Sequence, residues 1–207
     1  MTLQEAIKQR HSVRRYVHKP LSAEIVETLR KKIEEWNAES GLHIQLVTNE
    51  TRAFTGLFSY GKFSGVENYI VMVGKKADDL DERVGYYGEQ LVLLAQTLGL
   101  NTCWAGLSYR RVDEAYSVGD DEKLTCMIAL GYGATQGHKR KSKTAEQVSN
   151  ISSDSPEWFR NGVEAALLAP TAINQQKFSF TLLPNEQGSR VKPKVIAKRG
   201  FSMVGYT

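Results

Sequence analysis

GEQLVLLAQTLGLNTCWAGL, residues 88–107, decides how this chain is read. Leu91, Leu94, Ala95 and Leu98 recur at i, i+3, i+4 and i+7, which marks one face of a helix. Val92 and Leu93 lie beside them, so the helix is apolar on several sides and belongs in an interior. The spacing predicts this central helix over Glu82–Leu100, with Gly99 and Asn101 at its end. Small residues follow in Thr102-Cys103-Trp104-Ala105-Gly106. At a strand end they let backbone N–H groups approach a flat ligand, or they pack tightly for their own sake.

Outward from this core, Tyr69–Val73 and Thr125–Leu130 read as buried strands, the second closed by Gly131-Tyr132-Gly133. His43–Val47 alternates like a strand. A short opening helix is expected from Leu3, Ala6 and Ile7. Ser22 is the expected N-cap of a second helix carrying Ile25, Val26, Leu29, Ile33 and Trp36, with Gly41 at its end. Val112–Tyr116 reads as a short acidic helix. SNISSDSP, residues 149–156, reads as a linker or surface crossover. A helix over Glu157–Leu168 stops at Ala169-Pro170. Strands at Phe178–Leu183 and Lys194–Ala197 are joined by a turn at Pro184-Asn185. Helices and strands mix without strict βαβ alternation, so the expected class is α+β, layered on one sheet. A helix–loop–strand echo at 22–47 and 157–183 suggests two related halves, near 1–148 and 149–207, inside one domain over 1–207.

The 207 residues carry 41% hydrophobic and 24% charged side chains, ordinary for a globular chain that can bury a core. No apolar run approaches the roughly 20 residues of a membrane span, and no membrane partner is expected. MTLQEAIKQR has no apolar signal region, so a cytoplasmic protein is expected. Cys103 and Cys126 are too few for a disulfide framework or a Cys-rich zinc site; they read as buried thiols in a reducing compartment. The net charge of +4 favours small anions at least as much as nucleic acid. Aromatics do not interleave with the basic run, which argues against nucleic acid. The four histidines show no metal-ligand spacing, and no metal is expected.

Arg10-His11-Ser12-Val13-Arg14 places two guanidiniums and a hydroxyl on one side of an extended stretch. Such forks match phosphate oxygens, though a solvated basic turn has the same composition. Lys139, Arg140, Lys141 and Lys143 either meet the same phosphate or form a solvated loop. APTAINQQ, residues 169–176, either hydrogen-bonds a polar ligand or stops a helix. Phe58 and Tyr60, in a Gly- and aromatic-rich loop over 54–65, are substrate-side candidates that also suit plain lid packing. Dinucleotide, P-loop, zinc-protease and nucleophile-elbow patterns are all missing.

RHSVRRY (10–16), GEQLVLLAQTLGLNTCWAGL (88–107), IALGYG (128–133) with the basic run, and APTAINQQKF (169–178) together resemble the nitroreductase family of flavoproteins. The match is to its subgroup with the Asn-containing motif late in the chain. The resemblance implies a central mixed, mostly antiparallel sheet flanked by helices. It implies a homodimer, with FMN held at or near the dimer interface. NADH or NADPH would reduce the flavin, and an electron-poor acceptor such as a nitroaromatic or quinone would reoxidise it. Arg10, Ser12 and Arg14 would hold the FMN phosphate and ribityl chain. Trp104, Ala105 and Gly106 would lie by the isoalloxazine, and Lys141 or Lys143 would add a cation. Pro170, Thr171 and Asn174 would close over the flavin. No catalytic side chain is implied, because the flavin does the hydride chemistry.

The chain departs from the subgroup at Lys177-Phe178, where many members have Pro-Trp, and at Ser142, where a phosphate Arg is typical. Members also tend to continue into a closing helix beyond the last strand. The competing expectation is a flavin-binding protein without turnover, such as a sensor.

Overall fold

Asn68–Lys75 carries NYIVMVGK, and every residue but the last is buried. A strand covered on both faces reads as a continuous apolar run. This is β2 of a computed structural model that describes residues 1–56, 59, 62–183 and 193–197. Two compact units are present, 1–138 and 139–207.

In the first unit, β1 (Gln45–Val47), β2, β3 (Asn101–Ala105) and β4 (Glu122–Gly131) form a sheet in the order β1-β2-β4-β3. All three ladders are antiparallel, with Ile70 opposite Ile128 and Trp104 opposite Ile128 on the other side. Parallel pairing is confined, among the described residues, to isolated bridges. Alternate side chains serve two cores. Ile70, Met72, Ile128 and Leu130 pack against α2 (Ala23–Ser40) and α3 (Leu80–Thr97). Tyr69, Val71, Met127 and Ala129 pack against Val13, Tyr16 and Phe54 on the opposite face.

The helices follow their sequence signals. The Thr2 side chain caps α1 (Leu3–Gln9), and Glu5 completes a reciprocal capping box. Ser22 accepts from the Ile25 amide at the start of α2, and Gly41 ends it with φ +67°. The Asn37 side chain then brackets Ile44, taking its N–H at 2.8 Å and donating to its carbonyl at 2.9 Å, which aims the chain into β1. In α3, Leu91, Val92 and Ala95 are fully buried, as the apolar stripe requires.

The second unit holds α4 (Ala145–Val148), α5 (Glu157–Leu168), a 3₁₀ turn at Ala172–Asn174, and an antiparallel hairpin of β5 (Phe178–Leu182) and β6 (Pro193–Ala197). Its core is Val148, Phe159 and Val163, with Phe178, Phe180 and Leu182 against them.

Several sequence expectations need correction. Two sheets are present where the pattern predicts one, because among the described residues β5 and β6 pair with no other strand. The central helix runs Leu80–Thr97 and stops before Leu100, because left-handed Gly99 (φ +78°) turns the chain into β3. Val112–Tyr116 is a turn, with the Ala115 N–H on the Val112 carbonyl. Val112 is buried there with Ala115 and Tyr116 packed near it, and core contact outweighs the weak helical pattern of five residues. Strand β4 begins earlier than the apolar run, at Glu122, because β2 continues to pair it out to Lys75. Cys103 is buried, whereas Cys126 is only half-buried. The expected turn at Pro184-Asn185 lies outside the described residues.

Replacing Leu91 by Ala empties a fully buried position in α3. The expected loss is about 2–5 kcal/mol in urea denaturation. A loss below about 1 kcal/mol would contradict the placement of this helix at the centre of the core.

Candidate functional site

After α1 the chain becomes extended at Arg10, with φ −62° and ψ 131°. From there to Val17 its backbone is tied to three other segments. The Val13 N–H donates to Thr102 of β3 at 3.0 Å. Ser64 receives the Tyr16 N–H at 2.9 Å and donates to Arg14 at 3.0 Å. The Val17 N–H reaches Tyr132, and the Ala134 N–H reaches Arg15. β3 is an end strand of the sheet, and the Ser12–Thr102 parallel bridge extends its pairing.

Buried Val13 and Tyr16 peg the stretch to the core. The Tyr16 hydroxyl donates to the Val13 carbonyl at 2.6 Å. Gly65, at φ +68°, allows the close pass, since a Cβ there would overlap the Tyr16 carbonyl.

Along this stretch Arg10 is buried, Ser12 half-buried and Arg14 exposed. The Arg10 side chain is 7% exposed, and its Nε lies 3.5 Å from Glu89 Oε1. The other carboxylate oxygen of Glu89 accepts from Trp104 Nε1 at 2.9 Å. One α3 carboxylate therefore orients both a guanidinium and the indole of β3. Arg14 is exposed, and among the described residues it makes no ion pair. The Cys103 thiol, next to Ser12, donates to the Trp104 carbonyl at 3.5 Å. Burial pushes that thiol up, outweighing the opposing pull of Arg14, Ser12 and Arg10. Cys103 thus stays protonated and unreactive at neutral pH.

Trp104 packs toward α3 over Gly88, where a Cβ would overlap the ring. Ala105 is buried on the opposite face, and Gly106 follows it. The first unit therefore holds Arg10, Ser12 and Arg14 on a stretch paired with a strand that ends at Ala105, with Gly106 next in the chain.

The other sequence candidates lie in the second unit and are joined to one another. The Lys141 carbonyl accepts from Asn174 Nδ2 at 2.8 Å and from Gln176 Nε2 at 3.1 Å. The Lys143 ammonium donates to the Gln176 carbonyl at 2.7 Å, and its N–H donates to Gln176 Oε1 at 2.9 Å. The Gln176 N–H donates to the Thr171 hydroxyl. This lattice holds Ile173, Asn174 and Gln176 at φ +46°, +57° and +49°, in left-handed backbone. Pro170 opens the same turn and is half-buried. Arg140 donates to the Leu167 carbonyl near the end of α5, so part of the basic run serves the fold. Phe58 and Tyr60 lie outside the described residues.

Sequence reading misses Glu89 and Gln176 as site residues. Glu89 does carry a signal, as the sole charge in residues 88–107. Gln176 carries none beyond its place in a polar turn. Among the described residues there is no cluster of metal-binding side chains, and no helix is long and apolar enough to cross a membrane.

The sheet order, the edge-bound arginine stretch and the small strand end define a fold of the nitroreductase class. Residues 2–200 match the family described as "Putative TM nitroreductase", and the chain belongs to it. A "putative nitroreductase" from Thermotoga maritima is similar at 24% identity and a TM-score of 0.59, over 88% of this chain and 72% of that one. A "putative nitroreductase in complex with FMN" from Desulfovibrio desulfuricans is similar at 18% identity and a TM-score of 0.57, over 75% and 99%. A "putative NAD(P)H:FMN oxidoreductase" from Staphylococcus epidermidis is similar at 14% identity and a TM-score of 0.57, over 73% and 96%. No curated protein matches the chain in sequence.

Glu89→Leu removes the carboxylate that lies on both Arg10 and Trp104. The expected cost is about 2–4 kcal/mol in urea denaturation, with a smaller cost for Glu89→Gln, which still accepts from the indole. A cost near zero for Glu89→Gln would show that the carboxylate charge does nothing for Arg10.

Proposed function

We propose that this protein is an FMN-dependent oxidoreductase that takes a hydride from NADH or NADPH and passes it to an electron-poor acceptor such as a nitroaromatic or quinone. The observation that carries the reading is that the stretch bearing Arg10, Ser12 and Arg14 is bound to β3. A phosphate dianion needs fixed cations, and this edge offers two guanidiniums and a hydroxyl on anchored backbone. Membership of the nitroreductase family supports it. So do the relative crystallised in complex with FMN and the one named for NAD(P)H:FMN oxidoreduction.

The donor set fits FMN. Arg14 is an exposed fork that, among the described residues, has no carboxylate on it, while Arg10 is held in orientation by Glu89. Ala105 and Gly106 put no bulky side chain at the strand end, which suits backbone contact with a flat ring. Bound FMN supplies two-electron hydride chemistry that no side chain here offers. The protein's part is to bind and orient. Arg10 and Arg14 take the phosphate, and Ser12 donates to the phosphate or ribityl oxygens. Trp104 stiffens the strand end, and the backbone of Ala105 and Gly106 addresses the ring edge. Lys141, Lys143, Pro170, Thr171 and Asn174 are the further cofactor residues that the family resemblance assigns, in a homodimer. Two free thiols suit a reducing cytoplasm.

The test is NADH and NADPH oxidation by FMN-loaded protein with p-benzoquinone or nitrobenzene as acceptor. Turnover that depends on both FMN and acceptor is expected. Retained FMN without turnover would replace the enzyme by a flavin-binding sensor. Arg10→Ala is expected to weaken FMN binding by about 1–3 kcal/mol, the worth of a charge-assisted hydrogen bond. Unchanged affinity in a fluorescence titration would remove Arg10 from the phosphate site.

A further inference from the structure

A cleft of about 670 Å³ opens in the first unit at the start of β4, between Lys76 and the turn of residues 111–119. It lies apart from the arginine stretch. Leu124 lines it, whereas Thr102, which receives the Val13 N–H, pairs with Leu130 of the same strand. From Leu124 to Leu130 the extended chain covers roughly 20 Å. The cleft volume falls in the range of small-molecule sites, roughly 300–1,000 Å³.

The turn that frames it is held on several sides. Gln45 of β1 brackets Ser117, donating to its carbonyl at 2.7 Å and accepting its N–H at 2.9 Å. Glu122 Oε2 accepts the Gly119 N–H at 2.7 Å and lies 2.9 Å from His43 Nδ1. Lys76 Nζ donates to the Asp120 carbonyl at 3.0 Å. Tyr116 and Val118 pack on the core. A wall preformed in this way spares a ligand part of the cost of ordering it.

The groups left over on this wall are of both signs. Arg111, Lys76 and Asp113 are exposed, and among the described residues none of them makes an ion pair. Lys123, on the same lining, is drawn off to Asp81 at 3.9 Å. Burial pushes the Tyr116 hydroxyl up, so it stays a hydrogen-bond donor at neutral pH. A guanidinium fork beside an ammonium matches phosphate oxygens. A carboxylate accepts from the hydroxyls of a polyol, and protein hydroxyls both donate and accept. Cations, a carboxylate and hydroxyls on one wall recognise a molecule that carries phosphate and hydroxyls together. We propose that this cleft binds a sugar phosphate, with the phosphate on Arg111 and Lys76 and the sugar hydroxyls on Asp113, Tyr116 and Ser117. The site stands on its own geometry and does not require bound flavin.

The probes are glucose 6-phosphate, glucose and inorganic phosphate, titrated into the full chain by calorimetry. Glucose 6-phosphate is expected to bind at least about tenfold more tightly than either of the others. Arg111→Gln should erase its advantage over glucose. Asp113→Ala should reduce its advantage over inorganic phosphate. Circular dichroism separates loss of the site from loss of the fold. Absent binding, or equal binding of the three probes, would overturn the proposal, as would an advantage over glucose that survives Arg111→Gln. An advantage lost instead from an Arg10→Ala/Arg14→Ala double variant would put the phosphate on the arginine stretch and overturn it as well. Because no flavin or nicotinamide enters the assay, its failure is distinct from failure of the oxidoreductase reading.

Discussion

The Val13 N–H on the Thr102 carbonyl, at 3.0 Å, is the contact on which the candidate site depends. It fastens an otherwise irregular stretch to the end strand of the sheet. Everything chemically useful nearby inherits its position from that register. Buried Val13 and Tyr16 anchor the stretch, and Arg10, Ser12 and Arg14 are carried on either side of these anchors along the chain. Burial of two side chains thereby fixes the backbone that carries two cations, in a part of the chain with no regular secondary structure of its own.

Glu89 adds a second level of order. Its carboxylate joins α3, the arginine stretch and β3 through one side chain. Arg10 alone is a long, rotamer-rich cation, and holding it costs side-chain entropy. A half-buried carboxylate partner offsets part of that cost before any ligand arrives, which is preorganisation in the usual sense. Gly88 has a linked role, since only a residue without Cβ lets the Trp104 ring approach α3 closely enough for its N–H to reach Glu89.

Much of the fold is legible in the sequence, because its elements bury strong and regular patterns. The helix over Glu157–Leu168 reads from the sequence at its observed ends, Pro156 and Ala169 lying on either side of it. The continuous apolar run of β2 announces a strand covered on both faces. Val112–Tyr116 misleads because five residues carry too little pattern to compete with tertiary contact. The site is legible where one local stretch carries it, as at 10–14. It is illegible where distant residues meet: nothing in the spacing ties Glu89 to Arg10, or Gln176 to Lys141 and Lys143. Lys143 shows the hazard of reading charge alone, because its ammonium already serves the Gln176 carbonyl.

The central claim is that the edge formed by residues 10–14 and 102–106 belongs to a flavin site. The direct measurement is a visible absorption spectrum of the purified protein after addition of FMN and desalting. The account predicts flavin bands that travel with the native protein and are lost from an Arg10→Ala/Arg14→Ala double variant that still folds. A native protein that emerges colourless would contradict it.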